Sequence, residues 1–159
     1  MKKIYFDMSD NTGCIGFIAK DVEVIPAGTT IYAMDIQDKN DDYQKYADEC
    51  DIHFIFEDNT PVIDFYSVPM VDVFATDSLG GLFGTIGNRT DLDVAAPICY
   101  IDKTGTCSLI ADSLRNFSQL LAIGQKWKTI MEPYNSVIFY KSREEARRML
   151  DFISLPPSD

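Results

Sequence analysis

A chain of 159 residues in which 46% are hydrophobic is long enough for one globular domain and too apolar for wholesale disorder. Its formal net charge is −11, and residues 1–66 hold five basic and 14 acidic side chains, against nine and 11 in residues 67–159. Direct nucleic-acid binding depends on basic side chains that neutralise phosphates, so this charge argues against it. The acidic side chains serve either solubility or a surface that meets a basic partner.

Cysteine usage indicates a reducing compartment. The four cysteines lack CxxC spacing and lie in or beside apolar segments, which predicts free thiols. Cys99 and Cys107 fall on neighbouring predicted strands, so a disulfide between them is the alternative. The N-terminus lacks the apolar run of a signal peptide, and no stretch approaches the length of about 18 apolar residues that suggests a membrane span. We therefore expect a cytoplasmic protein.

The N-terminal part predicts short strands around one acidic helix. Asn40 or Asp41 is placed to cap this helix, which ends near Cys50, and an apolar stripe faces the core while the acidic side chains stay in water. The stripe consists of Tyr43, Tyr46, Ala47 and Cys50. The predicted strands are residues 2–6, 14–19, 22–25, 29–36, 52–57 and 62–66, with the first two and the last two as hairpins.

Residues 68–121 predict two successive hairpins that are closed by a helix. Gly80 and Gly81 connect the arms of the first hairpin, and Gly105 suits the left-handed position in the turn of the second. Asp112 or Ser113 caps the helix. The arms are residues 70–76 with 82–86 and residues 97–101 with 106–111, and the buried helical stripe is Leu114, Phe117, Leu120 and Leu121.

The C-terminal part predicts one more strand and one more helix. The strand covers residues 136–141, and Ser142 with Glu145 forms a capping box for the helix. Ala146, Met149, Leu150 and Ile153 line the predicted inner face of this helix. Many strands with three helices indicate an α+β fold in a single domain over residues 1–159.

No pattern matches a catalytic signature. The only histidine, His53, lies on the 52–57 strand, where a structural role is favoured over that of a general base. Asp72 and Asp77 fit strand and turn positions better than an acid/base pair. The glycines at 81, 84 and 87 lack the spacing of a phosphate-binding loop. We therefore predict a protein that is not an enzyme and has no catalytic residue.

Metal and cofactor sites are not predicted either. Zinc would require Cys and His pairs that the chain lacks. The acidic residues from Asp35 to Asp42 lack the spacing and the glycine of a calcium loop, so an exposed acidic face is the better interpretation.

Three short segments carry a resemblance to a known family: FATDSLGGLF at residues 74–83, PICYID at 97–102 and IADSLRNF at 110–117. They resemble the SUKH superfamily, whose members include a fungal cell-wall synthesis regulator and many bacterial proteins encoded beside polymorphic toxins. The resemblance implies a central, largely antiparallel twisted sheet and a non-enzymatic function. That function is to bind a partner protein, typically a toxin or nuclease domain, in an immunity or cell-wall regulatory role.

The acidic excess of the N-terminal part suits a module that binds a basic enzyme face. We expect the partner-binding residues to be Asp38, Asp41, Asp42, Asp48 and Glu49, with Tyr43 or Tyr46 as an aromatic anchor. One alternative is a small-molecule or peptide-binding domain with an aromatic pocket. A hydrolase with a site around His53 is the other.

Overall fold

The computed structural model describes residues 2–8, 22–87 and 96–152. Its strands are β1 (Lys2–Asp7), β2 (Val22–Ala27), β3 (Thr29–Ile31), β4 (His53–Phe54), β5 (Tyr66–Val68), β6 (Val71–Thr76), β7 (Leu82–Ile86), β8 (Ile98–Ile101), β9 (Cys107–Ala111), β10 (Glu132–Pro133) and β11 (Ile138–Tyr140). Its helices are α1 (Asp41–Cys50), α2 (Leu114–Leu120) and α3 (Arg143–Met149), with 3-10 helices at Ile36–Asp38 and Gly124–Thr129.

A seven-stranded sheet forms the centre of the fold. Its order is β10–β9–β8–β7–β6–β3, and β4 pairs with the part of β6 that β3 leaves free. Every pair in this sheet is antiparallel except β3 with β6. Parallel β1–β2 and antiparallel β5–β11 form two smaller sheets. The predicted α+β class with a central, largely antiparallel twisted sheet is confirmed.

The two hairpins predicted for the centre of the chain are present as β6–β7 and β8–β9. In the first turn, the Asp77 carboxylate accepts a hydrogen bond from the backbone N–H of Gly81, and Gly80 takes a φ of 86°. In the second, Asp102 has the same role and Gly105 takes a φ of 90°. Glycine adopts this left-handed backbone without the steric cost of a Cβ atom.

Both faces of the central sheet are buried. Helices α1 and α2 and the second 3-10 helix cover one face, where the rings of Phe117 and Trp127 lie 6.0 and 4.9 Å from that of Phe83. The segments at residues 63–65 and 137–139 pack on the other face. Because β6, β7 and β8 are buried on both faces, their sequences are almost continuously apolar.

The N-terminal strands differ from the prediction. β1 pairs in parallel with β2, and the predicted hairpin arm at residues 14–19 lies outside the described residues. The strand predicted at residues 29–36 ends at Ile31. The side chain of Asp35 accepts from the backbone N–H of Gln37 and begins a 3-10 helix, which takes the backbone out of the extended conformation.

The hairpin predicted for residues 52–57 with 62–66 is wrong. β4 contains only His53–Phe54 and pairs with β6, and β5 pairs with β11 from the C-terminal part. In both cases a strand distant in sequence is the partner. Strand preferences depend on such packing, which a local pattern does not contain.

The predicted N-caps of the three α-helices are confirmed. The side chains of Asn40, Ser113 and Ser142 accept from the backbone N–H groups of Asp42, Asn116 and Glu145 at 2.9, 3.1 and 3.2 Å. Each bond satisfies one of the donors that a helix start leaves without an intrahelical partner.

The inner face predicted for the last helix is partly wrong. Ala146 is buried, but Met149 is 68% exposed. The helix ends at Met149 on its exposed side, and the extended backbone of Leu150 places that side chain against the core instead. Ile153 lies outside the described residues.

The predicted free thiols are confirmed for three cysteines. Cys50, Cys99 and Cys107 are buried and unbridged, so the alternative of a Cys99–Cys107 disulfide is wrong. Cys14 lies outside the described residues.

Candidate functional site

The five carboxylates that we expected at a binding surface lie together and are exposed. Asp38 ends the first 3-10 helix, and the other four belong to α1, so that all five flank the Asn40 cap or follow it within three turns. We call this set the acidic surface: Asp38, Asp41, Asp42, Asp48 and Glu49. Residues seven apart on a helix lie about 10 Å apart along one side, so Asp41 with Asp48 and Asp42 with Glu49 form two rows.

The dipole of α1 favours only two of these five charges. Asp41 and Asp42 lie in the first turn of α1, where the helix dipole favours negative charge. Asp48 and Glu49 lie in the last turn, where the dipole opposes negative charge by about 0.3–1 kcal/mol each and where this helix has no basic residue. Asp48 and Glu49 therefore lie where the local preference of the helix opposes them.

The acidic surface is not neutralised internally. Among the residues that the structure describes, none of its five carboxylates forms an ion pair. Lys45 stands between the two rows on α1 and, among the described residues, pairs with neither, while Asp48 accepts there only from the side chain of Gln44 at 3.0 Å. These charges are available to a partner.

The two tyrosines proposed as anchors are half-buried beneath the acidic surface. The ring of Tyr43 lies 5.3 and 5.2 Å from those of Phe54 and Phe56, and 6.0 Å from that of Tyr46. Burial, helped by the nearby Tyr46 and Asp38, raises the pKa of the Tyr43 hydroxyl. These rings form an aromatic floor, and Tyr43 is a fixed part of it.

A groove of about 410 Å³ runs along α1 above this floor. Its polar rim includes Asp41, and its floor includes Phe56. The Nζ atom of Lys39 lies 5.0 Å from the centre of the Phe56 ring and 3.0 Å from the carboxylate of Asp58. The chain's own lysine therefore shows that this groove accommodates a cation over an aromatic ring. The lining residues are Lys39, Asn40, Asp41, Tyr43, Gln44, Ala47, His53, Phe54, Phe56 and Asn59.

A buried carboxylate that the sequence analysis missed fixes the end of α1. Asp51 follows the helix with a φ of 57°, and its carboxylate accepts from the hydroxyl of Ser78 at 2.8 Å and from Lys128 at 3.3 Å. The ring of His53 lies 3.1 Å from the same carboxylate. Burial alone would raise the pKa of Asp51, but the hydrogen bonds from Ser78, His53 and Lys128 outweigh it and lower this pKa. The one signal in the sequence is that the residue after the predicted helix is an aspartate, a residue type that takes the left-handed conformation more readily than most.

A second buried carboxylate, Asp77, holds the β6–β7 turn. It accepts from the hydroxyl of Tyr100 as well as from the backbone of the turn. Burial and the bond to Asp77 raise the pKa of the Tyr100 hydroxyl. Asp72 accepts from the hydroxyl of Thr30 at 2.8 Å. Both aspartates therefore have the strand and turn roles that were predicted.

The contacts of His53 indicate a structural role more than a catalytic one. We call the Asp51 carboxylate with its partners Ser78, His53 and Lys128 the brace at Asp51. Asp51 lies between His53 and Ser78, and the Ser78 hydroxyl donates to the carboxylate, so its proton faces Asp51. A serine nucleophile needs a base that accepts the proton of its hydroxyl. In this arrangement the group in that position is the Asp51 carboxylate and not the His53 ring. Among residues 2–8, 22–87 and 96–152, no three His, Cys, Asp or Glu side chains gather to hold a metal ion.

Comparisons with protein-family models, with curated proteins and with solved structures found no match. The resemblance to the SUKH superfamily therefore stays a prediction from three short segments.

In the part of the chain that the structure describes, every helix is too short or too polar to cross a membrane.

Proposed function

We propose that this chain is a non-enzymatic protein-binding module that binds a basic face of a partner protein through the acidic surface and the groove beside it. The observation that carries this proposal is the position of Asp48 and Glu49. Both are exposed, free of ion pairs among the described residues and placed at the end of α1 where the dipole opposes them. Binding a basic partner gives these two carboxylates a role that helix stability does not.

The groove supplies a place for the partner's cations. An arginine or lysine head group of the partner at the rim of the groove would lie beside the Asp41 carboxylate. Charges of this kind mainly accelerate association and exclude wrong partners, while packed aromatic contacts supply more of the affinity.

The partner class follows from the resemblance to the SUKH superfamily. A basic toxin or nuclease domain in the cytoplasm is the partner that this resemblance suggests, with the chain acting as its immunity protein. A regulatory role in cell-wall synthesis, like that of the fungal member, is the other form of the same proposal. Both require a protein partner with a basic surface.

Affinity capture with charge-reversed variants tests the proposal. The tagged chain is incubated with its native lysate at about 0.05 M and about 0.5 M salt, and bound proteins are identified by mass spectrometry. The test variant carries Asp41→Lys, Asp48→Lys and Glu49→Lys. The control carries Glu132→Lys, Glu144→Lys and Asp151→Lys, which are exposed, lie outside α1 and change the net charge equally.

We expect one stoichiometric partner that binds the unaltered chain and the control at low salt and is lost with the test variant. High salt should weaken capture by screening the exposed charges. Capture of that partner by the test variant as well as by the control, or no stoichiometric partner for the unaltered chain, contradicts the proposal.

A further inference from the structure

An apolar pocket of about 190 Å³ opens between α2 and the central sheet. Phe74 and Phe117 are buried in it, with ring centres 5.2 Å apart, and Phe54 lies 6.0 Å from Phe74. Polar groups reach its lining only from Tyr32 and Ser118, and the Ser118 hydroxyl already donates to the carbonyl of Arg115 at 2.7 Å. The lining residues are Tyr32, Met34, Phe54, Phe74, Leu114, Phe117, Ser118 and Leu121.

This lining selects a neutral apolar group. A charged group in the pocket would lose hydration and find almost no polar partner, at a large cost in free energy. Cavities of about 150 Å³ lined by leucine, isoleucine and phenylalanine are known to accept benzene. A pocket of about 190 Å³ therefore has room for one aromatic ring or one large aliphatic side chain.

The pocket is next to the acidic surface. Phe54 lines both the pocket and the groove beside α1, and its ring lies 5.3 Å from that of Tyr43. Tyr32 at the mouth of the pocket is close enough to Tyr43 to act on it electrostatically, as are Asp38 and Asp42. Asp41 lines the groove that shares Phe54 with the pocket, so a carboxylate of the acidic surface lies in the adjoining groove.

The segment at the mouth exposes apolar side chains. Tyr32 is 41% exposed and Ile36 is 48% exposed, and Ile31 at the end of β3 is also exposed. Single exposed apolar residues are ordinary, but Tyr32 itself lines the pocket, so its exposed apolar surface belongs to the pocket's rim. Apolar contact here would extend the area that the pocket alone offers.

We propose that this pocket binds one aromatic or large aliphatic side chain of the basic partner, flanked in that partner by lysine or arginine residues that contact the acidic surface. This inference rests on the proposed function and names the partner's anchor. The charge beside the pocket is the reason to choose a basic protein over a free apolar molecule. Buried anchors of this kind commonly dominate the affinity of an interface.

Selection from a displayed library of random peptides tests the anchor with the full chain as the target. The pocket is filled by Ser118→Phe, and the matched control is Gln119→Phe on the next position of α2, which does not line this pocket. We expect enriched peptides with one Phe, Trp, Leu or Met beside at least two basic residues. Their affinity should fall by about ten-fold or more with Ser118→Phe and stay unchanged with Gln119→Phe.

The outcomes separate this inference from the proposed function. Peptides that are basic but lack an apolar residue, or that bind the Ser118→Phe variant equally well, overturn the anchor and leave the acidic surface in place. Apolar peptides that ignore Asp48→Lys and Glu49→Lys overturn the proposed function and the link between the two sites. If no peptide is enriched, both proposals fail.

A second measurement does not depend on any variant. Indole is added to the unaltered chain, and amide chemical shifts are followed by NMR. We expect the largest changes at Phe74, Phe117 and Leu121, with saturable binding. Changes confined to other parts of the chain, or no saturable change, overturn the pocket as a site for an apolar ring.

Discussion

At the scale of single residues, Asp51 combines two properties that few side chains share. It takes a left-handed backbone conformation, and its carboxylate joins the turn at Ser78, the ring of His53 and the amine of Lys128. Lys128 is 77 positions away in sequence, so this one carboxylate links the end of α1 to the second 3-10 helix. It holds in place the end of the helix that carries Asp48 and Glu49.

Replacing Asp51 with asparagine should destabilise the fold by about 1–3 kcal/mol, because the new amide keeps the shape and the left-handed preference but leaves bonds to Lys128 and Ser78 unmet. The free energy of unfolding is measured by denaturant titration. Asp48→Asn, which is exposed, is the control and should change stability by less than about 0.5 kcal/mol. Equal effects of the two variants would contradict the role given to Asp51.

The same residue gives a pH dependence with a definite sign. The pKa of Asp51 is lowered in the folded state, so its contribution is present above the unfolded value of about 3.9 and is lost as the pH falls through the folded value. The difference in unfolding free energy between the unaltered chain and Asp51→Asn should therefore be constant near pH 7 and shrink below about pH 4. A difference that grows as the pH falls would contradict this assignment.

At the scale of elements, the β6–β7 hairpin depends on a close approach between its turn and β8. A Cβ atom at Gly81 would collide with the side chain of Tyr100, whose hydroxyl donates to Asp77 in the same turn. The glycine is therefore required by packing, and the turn, the bond and the ring form one unit.

The Gly81→Ala substitution should cost about 1–3 kcal/mol of stability through overpacking. In a Tyr100→Ala background the same substitution should cost at least about 1 kcal/mol less, because the collision is gone and contacting residues couple. Denaturant titration of the four proteins measures this coupling. A cost that is the same in both backgrounds would show that the Tyr100 ring is not what excludes a side chain at Gly81.

Short-range sequence patterns predicted the helix caps and turns but could not predict the pairing of distant strands. The Asn40, Ser113 and Ser142 caps and the turn at Gly80 depend on residues within four positions of one another, so their patterns are visible in the sequence. The pairing of β5 with β11 depends on residues about 70 positions apart, and no local pattern encodes it.

The candidate site likewise has one part that the sequence predicted and two parts that it did not. The carboxylates of the acidic surface all lie within residues 38–49, so charge and helical spacing located them. The apolar pocket joins Tyr32, Phe74 and Phe117 from three separate elements, and the brace at Asp51 joins four. Such sites exist only after tertiary packing, which is why the sequence analysis missed both.

At the scale of the whole molecule, the carboxylates of the acidic surface lie apart from the residues that stabilise the fold. The central sheet is buried on both faces and holds α1 through Cys50, Ile52 and the brace at Asp51. The acidic surface lies on the outer side of that helix and contributes little to the core. Charge changes on this surface should therefore alter binding without unfolding the protein.

Association kinetics with the captured partner test the central claim most directly. The rate constants of the unaltered chain are compared on a biosensor with those of the Asp48→Lys, Glu49→Lys double variant and of Lys45→Glu. Because Lys45 lies among the four acidic residues of α1, Lys45→Glu makes the surface more negative. The expected result is about ten-fold slower association for the double variant, faster association for Lys45→Glu and smaller changes in dissociation. Association rates that are the same for all three proteins, or that change in the opposite directions, would contradict binding through the acidic surface.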